Sequence, residues 1–184
     1  MDYYFISDNL FFLSGIQAHN EIYDGNVYCI PVIDAPGKFS PSFGDVVVIH
    51  VSHTGERSRI AMLPGMATSR VVIMLKENHG HRYFNDGRFP WLIPHGTCMS
   101  DLMACLSQIS HYPLTHRRLS VREIRLFCYL SRGYSPQQLE MKMETGAKHL
   151  YRLKRKTLMQ YGLQHCNAVN IQICRDLITL SGAV

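Results

Sequence analysis

The chain has 184 residues, 46% of them hydrophobic and 18% charged, with 19 Lys and Arg against 14 Asp and Glu for a formal net charge of +5. That is apolar material for one domain or two small ones, and it excludes a disordered chain, a collagen-like repeat and a disulfide-dense mini-protein. The charge is unevenly placed: residues 1–113 hold 7 Lys and Arg against 10 Asp and Glu, a net of −3, whereas residues 114–184 hold 12 against 4, a net of +8. An acidic front and a basic back imply two units, the second suited to a polyanionic partner.

In the front half, short apolar runs alternate with stretches of helical period. Residues 3–7 (YYFIS) predict a buried strand, and Leu10, Leu13 and Ile16 predict a helix over 9–18. Residues 27–33 predict a second strand. The run at 45–51 (DVVVIHV) is continuous and β-branched, as expected of a strand covered on both faces. Residues 70–75 (RVVIML) repeat that signature and 91–93 give a shorter version. Residues 99–109 predict a closing amphipathic helix with Ser100 as its N-cap. This alternation implies a doubly wound, mostly parallel α/β sheet. Residues 36–43 and 77–90 are punctuated by Gly and Pro and predict no regular element.

Pro113 interrupts residues 111–118 (HYPLTHRR), where the charge changes sign. The expected organisation is a regulatory domain at 1–110, a linker at 111–118 and an all-α domain at 119–184. Four helices are expected in the last. Ser120 with Glu123 forms a capping box ahead of a helix over 122–132, and Gly133 suits its C′ position. Ser135-Pro136-Gln137-Gln138 supplies an N-cap, a proline at N1 and a second capping box. After a turn at 144–146, residues 147–161 predict a helix that is basic on one side, with Leu150, Leu153, Leu158 and Tyr161 apolar. Residues 168–177 predict the last helix.

A short helix, a tight turn and a basic helix make a helix-turn-helix, the second helix of which enters the DNA major groove. Lys148, His149, Tyr151, Arg152, Arg155 and Lys156 fall within about two and a half turns, and steps of three and four put Lys148, Arg152 and Arg155 on one stripe. Arginine can fork onto guanine, and lysine suits phosphate. Ser135 and Gln137, at the start of the preceding helix, complete the candidate DNA-binding set.

Leu119-Ser120-x-Arg122-Glu123, then Leu130-x-x-Gly133-x-Ser135, then Tyr161-Gly162-Leu163, resembles the LuxR-type (NarL/FixJ) helix-turn-helix domain over roughly 60 residues. The recognition helix of that family usually opens Lys-Thr-Val-Lys, where this chain has Lys148-His149-Leu150-Tyr151, and Leu153 stands at a position the family gives to histidine or arginine. The front half resembles a degenerate response-regulator receiver. Only Asp8 remains of the acidic pair that binds Mg²⁺, and His50 closes the run from Asp45 where the family places its phosphoacceptor aspartate. No Ser or Thr closes residues 70–75, and the lysine expected after the fifth strand is missing from 91–95. Phosphorylation of aspartate needs that carboxylate, a metal and a cation, so the resemblance implies a domain that is not phosphorylated in the usual way. The combination is similar to the Rcs-type auxiliary regulators of enteric bacteria, which often pair with a true response regulator. Residues 164–175 resemble the last helix of that group, which serves for pairing of DNA-binding domains.

The expected function is therefore transcription regulation in the bacterial cytoplasm, with double-stranded DNA and a homodimer or response-regulator heterodimer as partners. The N-terminus lacks the basic region of a signal peptide, and no apolar run reaches the roughly 18 residues that span a bilayer. No cofactor and no metal are implied, and an enzyme lacks its parts: there is no Gly-x-Ser-x-Gly and no phosphate-cradling glycine loop. Cys98 and Cys105 read as buried packing residues. Three alternatives stay open. One is an interaction module without base readout. Another is a metal sensor built from His50, His53, His79, His81 and His95. The third is a ligand or pH sensor acting through His50, although its place at the end of a buried strand favours a hydrogen-bonded structural residue.

Overall fold

A computed structural model describes residues 1–76 and 87–182. Five strands, β1 (Tyr3–Ser7), β2 (Val27–Pro31), β3 (Val46–His50), β4 (Arg70–Leu75) and β5 (Trp91–Pro94), form one sheet in the order β2-β1-β3-β4-β5. Every pairing is parallel, and the register sets Ser7 of β1 beside His50 of β3. This is a doubly wound order whose direction reverses between β1 and β3, the place where such sheets bind ligands beyond their carboxyl ends. Strands β1, β3 and β4 read as unbroken apolar runs because helices cover both faces.

One sheet face, with Phe5, Val46, Val48, Val72 and Met74, packs on Leu13 and Ile16 of α1 (Leu10–Gln17) and on Leu102, Leu106 and Ile109 of α4 (Met99–His111). The opposite face, with Ile6, Val47, Ile49, Val71 and Ile73, packs on Ala35 of the short α2 (Ala35–Lys38) and on Ile60 and Ala61 of α3 (Thr54–Ala61). Helix α3 was not expected. Its buried side includes Arg57 and Ser58, so the apolar period that announces a helix is missing. The N-cap of α4 lies two residues earlier than expected: Cys98 is the N-cap residue and Ser100 lies inside the first turn, its hydroxyl 3.0 Å from the Cys98 thiol. Cys98 is exposed and Cys105 half-buried, so neither is the fully buried packing residue expected.

The back half supplies α5 (Val121–Ser131), α6 (Pro136–Met143), α7 (Ala147–Gln160) and α8 (Ala168–Leu180). Both expected capping boxes form, on Ser120 with Glu123 and on Ser135 with Gln138. Gly133 takes a φ of +78°, the left-handed conformation that ends α5. Helix α8 runs one turn further than expected and is buried along most of its length. Ile173, Cys174, Leu177, Ile178 and Leu180 join a single apolar cluster with the sheet, α3, and Phe127 of α5. The two halves thus share one core. Residues 112–118 also hold to the front half: the Phe89 N–H donates to the Thr115 carbonyl at 2.8 Å, and Arg70 Nε donates to the Tyr112 carbonyl at 3.2 Å. The architecture is a receiver-like α/β unit followed by an all-α helix-turn-helix unit.

Candidate nucleic-acid interface

Helix α6 begins firmly. The Ser135 hydroxyl accepts from the Gln138 N–H at 3.3 Å, the Gln138 Oε1 accepts from the Ser135 N–H at 2.8 Å, and Pro136 occupies N1, where no N–H is needed. The turn into α7 is made by Glu144 at φ 49° and ψ 47°, the sole non-glycine residue with positive φ among those described. Gly146 precedes α7 without a side-chain cap. Leu139 and Met143 of α6 then meet Leu150 of α7 over Leu126 of α5. At the far end of α7, Thr157 is fully buried and donates to Glu123 Oε1 at 3.1 Å. These inward contacts fix the rotation of α7.

That rotation leaves Lys148, His149, Tyr151, Arg152, Arg155 and Lys156 all exposed. Fourteen residues make a rod of about 21 Å, of the right width to enter a major groove about 12 Å across. No described element of the front half covers this face. Gln137 is exposed, one residue into α6, while Ser135 is half-buried with its hydroxyl engaged in capping. The same surface holds two cations that sequence reasoning missed. Lys154 stands 5.5 Å from the centroid of the Tyr151 ring. Arg117 lies 5.2 Å over the Tyr161 ring and shares with Arg155 and His165 the lining of a groove of about 670 Å³. The basic His116-Arg117-Arg118 run in the expected linker was the available signal.

In the front half, His50 sits at the carboxyl end of β3 with 2% of its surface exposed. Its ring stacks on Phe12 at 4.2 Å and lies tilted against His95 at 4.1 Å. Its Nδ1 is hydrogen-bonded to the Ser7 hydroxyl at 2.8 Å, and the Asn9 N–H donates to that hydroxyl oxygen at 2.9 Å. Burial lowers the imidazole pKa, His95 lowers it further and Asp8 opposes them, leaving it at about 4. His50 is therefore neutral at physiological pH and hydrogen-bonded to Ser7, the arrangement of a structural residue. Asp8 Oδ2 accepts from the Ser52 N–H at 2.8 Å. Among the described residues no three His, Cys, Asp or Glu side chains are grouped to hold a metal; His79 and His81 lie outside the described residues. No helix among them is long and apolar enough to cross a membrane.

No family model matches the sequence, and no curated protein does. The chain is similar to solved structures of RcsB from Salmonella enterica serovar Typhimurium. One, bound to promoter P1flhDC in the presence of phosphomimetic BeF3-, is 13% identical and is matched over 95% of this chain and 98% of that one, with a TM-score of 0.46. Another, bound to promoter rprA, is 14% identical over 100% of both chains, with a TM-score of 0.44. The response regulator ChrA of a heme-sensing two-component system is 14% identical over 97% of this chain and 98% of that one, with a TM-score of 0.36. The side chains of α6 and α7, not these likenesses, carry the functional reading.

Proposed function

We propose that this chain is a sequence-specific DNA-binding transcription regulator of bacterial genes, acting in the cytoplasm and independently of aspartate phosphorylation. The observation that carries the proposal is the outward face of α7. Six polar or cationic side chains stand exposed on a helix held by a capped partner helix across a tight turn. Lys148, His149, Tyr151 and Arg152 are assigned to base edges, with Arg155, Lys156 and the side chains Ser135 and Gln137 at the start of α6 on phosphates. Phosphorylation independence is supported by His50, which cannot form an acyl phosphate and is enclosed by Phe12 and His95. Pairing as a homodimer, or with a response regulator, completes the proposal. Of the expected pairing segment 164–175, Gln164, His165, Asn167, Ala168 and Val169 are exposed and Ile171, Gln172 and Arg175 half-buried, while the rest of α8 packs against the front half.

The test is binding of the full chain to random and promoter-derived duplexes over a series of salt concentrations. Each phosphate neutralised contributes a slope of roughly 0.9 in log K against log salt. A slope worth several phosphates, with tighter binding to one promoter, is expected. A flat response would leave a pure interaction module as the reading.

A further inference from the structure

A cavity of about 170 Å³ lies where the two halves meet at the carboxyl end of the sheet, lined by Ser52, Thr54, Arg57, Lys76, His95 and Val169 together with apolar residues of β4. Taking about 30 Å³ per water, it has room for five or six waters, or for one compact ion. Arg57 is 96% buried by its 4% exposure, an unusual position for a guanidinium, and its donors are not all spent. Nε donates to Asp176 Oδ2 of α8 at 3.2 Å, while Nη2 is buried with no hydrogen-bond partner among the described residues. An unmatched guanidinium N–H in a protein interior is costly and calls for an acceptor.

Two further features of the same place ask for the same ligand. Helix α3 begins here, and His53 at its N-cap offers no side-chain acceptor, so the first-turn N–H groups at Thr54 and Gly55 are uncapped by a side chain. The cavity lining also contains two cations, Arg57 and Lys76, and no carboxylate. The nearby acids are engaged elsewhere: Asp176 with Ser58, Gln172 and the Nε edge of Arg57, and Asp8 with the Ser52 N–H.

We propose that this cavity is a reversible binding site for a small oxyanion, phosphate or a compact carboxylate, held by Arg57, Lys76 and the start of α3. The bond is non-covalent, and the chemistry differs from phosphoryl transfer because the lining offers no carboxylate nucleophile. Since Val169 belongs to α8 and Arg57 grips Asp176 of the same helix, an anion seated here contacts both halves and holds α8 in place. The site stands independently of the DNA-binding reading.

The test uses the full chain and thermal unfolding, titrated separately with inorganic phosphate and with acetate, against sodium chloride at matched ionic strength. Saturable stabilisation by phosphate, by acetate or by both is expected, and the arm that saturates at the lower concentration identifies the oxyanion. K76A, at an exposed side chain, is expected to weaken the saturating anion about tenfold. V169W, which fills the mouth of the cavity, is expected to abolish the response while the variant still unfolds cooperatively. Stabilisation that follows ionic strength equally in chloride overturns the proposal, as does an unchanged titration in both K76A and V169W.

Discussion

Arg57 of α3 and Asp176 of α8 form an ion pair at 3.2 Å in which the two side chains are only 4% and 1% exposed. The pair joins positions separated by 119 residues and locks the last helix of the chain to the front half. Asp176 Oδ1 also accepts from the Ser58 hydroxyl at 2.7 Å and from Gln172 Nε2 at 3.2 Å. Burial still drives the Asp176 pKa upward against these bonds, so the attraction does not fully offset the loss of water.

Removing one partner strands the other in an apolar core. Asp176→Ala is expected to lower the unfolding free energy by about 3–5 kcal/mol. The double variant Arg57→Met with Asp176→Leu is expected to recover a large part of that loss, because neither charge is then buried. Urea unfolding of the parent, the single variant and the double variant measures both. A double variant no more stable than Asp176→Ala would show that the pair stabilises more than its desolvation costs.

His50 makes stability depend on pH in the acid range. Its folded pKa of about 4 lies below the ordinary histidine value of 6.5, so below pH 6.5 the unfolded chain takes up a proton that the folded chain refuses. Stability is full above about pH 6.5 and is lost as pH falls toward 4, by about 1–3 kcal/mol. Unfolding free energies of the parent and of His50→Asn, measured between those limits, test this. The variant keeps a polar group beside Ser7 and is expected to lack that part of the slope.

Glu123 links the start of α5 to α7. Burial raises its pKa, but the backbone and side chain of Ser120, the Thr157 hydroxyl and the charge of Lys156 lower it more, and the net shift is downward. The stabilisation is present above the unfolded carboxylate pKa and is lost as pH falls through the lower folded value. Thr157→Val removes a hydrogen bond to a charged acceptor and is expected to cost about 1.5–3 kcal/mol, seen as a lower denaturant midpoint with an unchanged slope. An unchanged midpoint would mean that the Thr157 contact does not stabilise the fold.

Much of this arrangement was legible beforehand because it rests on local rules. Strands β1 and β4 fall where their apolar runs lie, and Ser120 and Ser135 cap α5 and α6 because a capping box is written within four residues. The exposed face of α7 follows from spacing alone. Helix α3 was hidden because its buried Arg57 and Ser58 break the apolar period, and their partners lie more than a hundred residues away. The seat of α8 against the front half was equally invisible. Its apolar side reads the same whether it meets this chain or another, and only the placement of Asp176 opposite Arg57 decides between them.

The turn between α6 and α7 carries a trade between backbone and charge that one substitution exposes. Glu144 holds φ 49° and ψ 47°, a left-handed conformation that costs an L-residue with a Cβ about 1 kcal/mol and that glycine adopts freely. Glu144 is also an exposed acid one turn ahead of Lys148, beside the face assigned to DNA. Glu144→Gly relieves the backbone and removes the negative charge together, although glycine loses more chain entropy on folding. The expected stability change is small, between zero and about 1 kcal/mol in favour of the variant. The expected change in DNA affinity is larger at low salt and shrinks as salt rises, because an exposed charge acts through a screened field. Glu144→Gln separates the two effects, since it removes the charge and keeps the strained backbone. If both variants tighten binding equally, charge is the cause. If only Glu144→Gly does, the turn geometry limits how α7 is presented.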